Sequence, residues 1–181
     1  EYLRAEGNVL TVCVCDNTDA CPLSRGKQKT KRGGIWYTPQ SGIWQTVWAE
    51  HVPEGYIRSV LFTPELPEGR IRWKLCAAQP KDAEITILYH GEAVAHGSAD
   101  DDGCGSVVLP AGQLHLWSPE TPELYDVTIT LGKDTIKSYF AMRTVGTGKD
   151  EAGHPCLLLN GRPYFHHGVL DQGYWPDGLY T

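Results

Sequence analysis

Asp100-Asp101-Asp102-Gly103 is the densest group of carboxylates in the sequence, and general acid–base or nucleophilic chemistry needs carboxylates brought close together. Consecutive aspartates before a glycine have the composition of a solvated turn, with weak calcium binding the less favoured reading. Glu65 and Glu68 flank Pro67 in a stretch that also reads as loop. His166-His167 are adjacent, so on a strand they face opposite ways, which disfavours a joint metal site. Six cysteines, at 13, 15, 21, 76, 104 and 156, include no CxxC pair and match no zinc spacing. Cys13 and Cys15 would lie on the same side of a strand and cannot easily bridge, so unpaired thiols are expected, with a lean toward a bacterial cytoplasm. No Ser/His/Asp or Cys/His arrangement stands out, and the expectation is of no metal site and no cofactor. What remains is GGIWYTPQSGIWQTVWAE (33–50), with Trp36, Trp44, Trp48 and Tyr37. Such flat rings serve either as a stacking platform for sugars or as the packing of a β-domain, and packing is the favoured reading.

The elements that must position these residues are strands. Helical periodicity is nearly absent, while period-two alternation broken by Pro and Gly dominates. In RIRWKLCAAQ (70–79), Ile71, Trp73, Leu75 and Ala77 face one way and Arg70, Arg72, Lys74 and Cys76 the other. AEITILYHGEAV (83–94) alternates and then turns at His90-Gly91-Glu92, and SVVLP (106–110) is a short strand. LYDVTITLGKDTIKSYFAMRTV (124–145) is a hairpin around Gly132-Lys133-Asp134, and YIRSVLF (56–62) supplies a further strand. Six or seven strands in about ninety residues describe an immunoglobulin-like antiparallel β-sandwich over 53–145.

On either side the character changes. Residues 1–52 offer two strands, Val9–Cys15 and Ile43–His51, separated by a long loop. After Val145 a polar linker, GTGKDEAGHP, leads to a hairpin around Asn160-Gly161 and then to HHGVLDQG, a short buried strand. Both flanks read as pieces of something larger, and the absence of a starting methionine or a signal-like leader agrees with that expectation.

Composition excludes other classes. The 181 residues are 41% hydrophobic and 21% charged, which fits a folded chain with a core of its own. The net charge of −6 and the single basic cluster, Lys27, Lys29, Lys31 and Arg32 in a Gly-containing loop, argue against nucleic-acid binding. No apolar run reaches the roughly 18 residues that a membrane-spanning helix needs.

Three segments in order resemble glycoside hydrolase family 2, the family of β-galactosidases, β-glucuronidases and β-mannosidases. SGIWQTVWAEHVP (41–53) is similar to the closing strand of that family's sugar-binding jelly-roll domain. LWSPETPELYDVTITL (116–131) is similar to its central immunoglobulin-like domain, and LLLNGRPYFHHGVLDQGYWPDG (157–178) to the start of its TIM barrel. The resemblance implies an all-β chain in three parts: jelly-roll strands over 1–52, the sandwich over 53–145, and a linker with the first barrel strand over 146–181.

It further implies a parent enzyme that cleaves β-glycosidic bonds with two glutamates lying beyond residue 181. This chain would then carry no catalytic residue. Its partners would be carbohydrate, in the parent, and the remaining barrel and jelly-roll domains, with a homo-oligomer as a further expectation. Asp171, Gln172, Tyr174 and Trp175 fall where the first barrel strand ends and become substrate-contact candidates. Trp36 joins them, because it stands six residues before Gly42, where galactosidase and glucuronidase relatives commonly carry an aspartate that reaches the active site. That departure puts galactose or glucuronate specificity in doubt. Competing readings are a carbohydrate-binding module acting through Trp36, Tyr37, Trp44 and Trp48, and an immunoglobulin-like interaction domain.

Overall fold

The computed structural model describes residues 4–22, 25–43 and 45–170. The chain divides into two compact units, Glu1–Ala49 with Gly168–Thr181, and Glu50–His167.

The second unit holds ten strands, and every strand pairing is antiparallel. β1 (Ile57–Glu65), β2 (Arg70–Ala77) and β5 (Cys104–Val108) form a sheet in the order β1-β2-β5. β3 (Glu84–Tyr89), β4 (Glu92–Ser98), β6 (Tyr125–Leu131) and β7 (Asp134–Phe140) form the facing sheet, ordered β4-β3-β6-β7. β8 (Val145–Lys149), β9 (Pro155–Leu159) and β10 (Arg162–Pro163) make a smaller third sheet.

Alternation in the sequence becomes burial here, because successive strand side chains point to opposite faces. Ile71, Trp73 and Leu75 of β2 are buried against Ile85 and Ile87 of β3 and Val127 and Ile129 of β6, in a core with no buried polar or charged residue. The sheets are also tied at one edge, where the Ile57 amide donates to Asp134 Oδ2 at 2.8 Å. Local turn chemistry sets the register. His90-Gly91 and Asn160-Gly161 are two-residue turns in which both φ angles are positive, as a type I′ hairpin requires. Asp100 and Asp150 each accept the amides two and four residues on through Oδ1, closing matching Asp-x-x-Gly turns.

Aromatic rings run through the sandwich from one seam to its end. Phe62 lies 5.3 Å from Phe140, Phe140 stacks at 5.0 Å on Tyr125, and Tyr125 lies 5.3 Å from Tyr89. Tyr89 in turn stacks at 4.0 Å on His115. The fully buried Tyr125 ring ends in a hydroxyl that donates to the Gln113 carbonyl and accepts from the His115 amide at 2.7 Å. This corner pins the loop before β6 to the strand itself, and burial pushes the phenol pKa up. Tyr125→Phe keeps the packing but strands the His115 amide, so chemical denaturation should show a loss of about 1–3 kcal/mol.

The flanks differ from expectation in two respects. Among the described residues before Ile57 no strand forms: the described parts of Val9–Cys15 and Ile43–His51 lie outside any ladder, with only the bridges Gln28–Tyr37 and Gly33–Trp36 nearby. Val9 is 89% exposed, and a strand without a neighbour has no ladder hydrogen bonds to hold it. Conversely, the supposed polar linker after Val145 is the hairpin β8–β9, closed by Asp150. His166 to Leu170, read as the described part of a buried strand, are exposed and carry no strand pairing.

Candidate functional site

Three grooves on the surface of the sandwich bear on where a site could lie. The first, about 580 Å³, is lined from both β1 and β7, and Val60, Phe62, Leu124, Tyr139, Phe140 and Arg143 are among the residues lining it. The second, about 280 Å³, runs along β5 past Arg70, Arg72, Trp73 and Asp100. The third, about 440 Å³, includes Glu54, Gln79 and Lys133. Their linings hold no carboxylate, Asp100 alone and Glu54 alone, respectively. A two-carboxylate reaction needs a facing pair, and none of these grooves supplies one.

Several described carboxylates are engaged away from these grooves. Glu65 bridges Arg70 at 3.3 Å and Arg72 at 3.2 Å, and Lys81 pairs with Asp101 at 2.9 Å. Glu123 accepts from Tyr89 at 2.8 Å and stands 3.8 Å from His90 Nε2. Burial, with Glu123 beside it, pushes the Tyr89 phenol pKa up. Among the described residues no group of three His, Cys, Asp or Glu side chains is arranged to hold a metal ion. The six thiols are unpaired.

Of the substrate-contact candidates, Trp36 is the one the structure describes; Asp171, Gln172, Tyr174 and Trp175 lie outside the described residues, as does Trp44. Trp36 sits in a tight turn, its amide donating to the Gly33 carbonyl at 3.1 Å and its carbonyl accepting the Gly33 amide at 3.1 Å. Lys29 Nζ stands 4.0 Å above its ring, a cation–π contact that occupies one aromatic face. Trp48 is exposed, and Tyr37 is held by backbone bonds to Lys27 and Lys29.

The same loop is pinned by two acids that sequence reasoning passed over. Asp16 accepts from Ser41 and from the Thr18 amide, and Asp19 from the Thr30 hydroxyl and amide. These bonds, from Ser41 and Thr30 first of all, hold both carboxyls below the usual aspartate range. The Ser41 and Thr30 partners lie 25 and 11 residues away, so no local motif could have revealed these two links.

Residues 55–143 match the family described as Glycosyl hydrolases family 2, a span that runs from the start of β1 to just past β7. The chain is 28% identical over 177 residues to a β-galactosidase large subunit of Leuconostoc lactis, covering 88% of this chain and 27% of that protein. It is 25% identical over 148 residues to a β-galactosidase of Leuconostoc mesenteroides subsp. mesenteroides, covering 71% of this chain and 14% of that one. Among solved structures, a Faecalibacterium prausnitzii β-glucuronidase superposes with a TM-score of 0.51 at 26% identity, over 61% of this chain and 17% of that chain. The chain therefore spans about a quarter or less of the length of these relatives.

Proposed function

We propose, from the premise that residues 55–143 belong to glycosyl hydrolases family 2, that this chain is the sandwich segment of a β-glycosidase, with pieces of the neighbouring domains on either side. The observation that carries the reading is the coincidence of the matched span with the seven strands of the sandwich and its tyrosine corner. In this reading residues 1–52 come from a sugar-binding jelly roll, 53–145 are the brace, and 146–181 lead into a TIM barrel that needs about 250 residues in all.

The parent's reaction would be retaining hydrolysis. One carboxylic acid protonates the leaving oxygen while a carboxylate about 5–5.5 Å away attacks the anomeric carbon, and water then releases the glycosyl-enzyme. Both carboxyls would belong to barrel strands outside this chain. The chain's own part would be to space the barrel and to lend substrate contacts from Asp171, Gln172, Tyr174, Trp175 and Trp36. The Lys29 ammonium over Trp36 occupies one face of the ring, which weighs against a bare stacking platform at that residue.

A panel of nitrophenyl β-glycosides tests the proposal. The chain of 181 residues should release no nitrophenol above the uncatalysed rate, whereas a longer parent containing the barrel should turn over at least one β-glycoside. Turnover by the chain alone would overturn the assignment of the carboxylate pair to the barrel.

A further inference from the structure

Asn160 occupies the first position of the β9–β10 turn, with φ +52, a conformation that asparagine tolerates better than most side chains. Turn formation alone would leave its side chain in solvent. Instead Asn160 Oδ1 accepts the Thr144 amide at 3.0 Å and Asn160 Nδ2 donates to the Trp117 carbonyl at 3.0 Å, while the Asn160 amide donates to the Thr144 carbonyl at 2.8 Å. Thr144 immediately precedes β8, and Trp117 lies in the loop that leads to β6. One side chain therefore bonds the junction of the two sheet systems and the body of the sandwich together.

Trp117 is itself fixed. Its amide donates to the Met142 carbonyl at 3.0 Å, and the Arg143 guanidinium lies 4.4 Å above its ring. A second attachment stands on the far side of the hairpin, where the Tyr164 hydroxyl donates to Glu120 Oε1 at 2.8 Å, just after β10. A single attachment acts as a pivot, whereas two at separate points set an angle.

We propose that Asn160 is a positioning residue: with Tyr164 as the second tether, it fixes the direction in which the β8–β10 sheet, and any domain attached beyond it, leaves the sandwich. This rests on the glycosidase assignment only in identifying that attached domain as a barrel. The side-chain chemistry is demanding, because the site needs an acceptor for Thr144 and a donor for Trp117 at a left-handed φ. Aspartate keeps the acceptor and loses the donor. Glycine keeps the backbone and loses both, which separates the latch from backbone strain.

Hydrogen exchange by mass spectrometry on the whole chain, with Asn160→Gly and Asn160→Asp, reads the latch directly. In Asn160→Gly, amides of 144, 156–162 and 164 should exchange about tenfold faster while β2, β3 and β6 stay protected. Asn160→Asp should keep most of the Thr144 protection. Spin labels placed at Glu92 and Arg162 read the angle itself. Their distance distribution should broaden in Asn160→Gly and in Tyr164→Phe without any shift in the sandwich's thermal midpoint. An Asn160→Gly chain with unchanged exchange and an unchanged distance distribution would overturn the proposal. Neither readout depends on glycoside turnover, so its failure and failure of the glycosidase assignment are told apart.

Discussion

Trp73→Ala should leave the sandwich close to unfolding at room temperature. The indole is 3% exposed, sits at the centre of β2, and fills the space between the two sheets on their closed side, where β4 and β5 meet. Truncating a buried tryptophan costs about 3–5 kcal/mol through lost transfer energy and the cavity left behind. A domain of this size has only about 5–15 kcal/mol in total. Urea unfolding followed by circular dichroism should show the midpoint fall to a fraction of the parent value. A loss below about 1 kcal/mol would mean that the ring is not the keystone of the core.

Gly97→Ala should be the second most damaging change, and its cause is the same ring. Gly97 lies on β4 of the facing sheet, and a methyl group there would fall well inside van der Waals contact of Trp73 Cη2 and 2.9 Å from Cζ2. Gly105, the direct β5 neighbour of Trp73, is equally constrained, since its methyl would stand 2.5 Å from Trp73 Nε1 and 2.5 Å from the Ser98 carbonyl. Overpacking of this kind typically costs about 1–3 kcal/mol. The decisive measurement is a double-mutant cycle with Trp73→Phe, which removes the benzo atoms that Gly97 accommodates. Trp73 Nε1 is buried without a hydrogen-bond acceptor, so the smaller ring forfeits no such bond. Gly97→Ala should then cost less when combined with Trp73→Phe than it does alone, with a coupling of about 0.5–3 kcal/mol. Additive losses would show that the steric argument is mistaken.

The sandwich was legible in the sequence because its determinants are local. Period-two burial follows from strand pleat, so the pattern at Ile71, Trp73 and Leu75 translates directly into a buried face. His90-Gly91 and Asn160-Gly161 announce hairpins because their required φ angles suit few other residue pairs. Val9–Cys15 and Ile43–His51 read just as clearly as strands, yet the described residues of neither join a ladder. Strand propensity states how well a segment fits a sheet and cannot supply the neighbour. GTGKDEAGHP misled in the opposite direction, since its glycines and charges have the composition of a linker while Asp150 closes a hairpin within it.

The candidate site divides in the same way. That Asp100–Gly103 would form a turn was legible, because Asp100 bonds the amides two and four residues on. Lys29 over Trp36 and the anchoring of the loop by Asp16 and Asp19 were invisible, because each joins residues whose proximity depends on how the loop closes.

By itself, then, the sequence determined the class of fold, the positions of the hairpin turns and the inward face of β2, all of which arise from interactions a few residues apart. Only the tertiary structure decided that two glycines make room for one indole, that Tyr125 anchors the loop before it, and that Asn160 joins a turn to a loop 43 residues away. Those contacts depend on distances across the fold, and no period or motif along the chain encodes them.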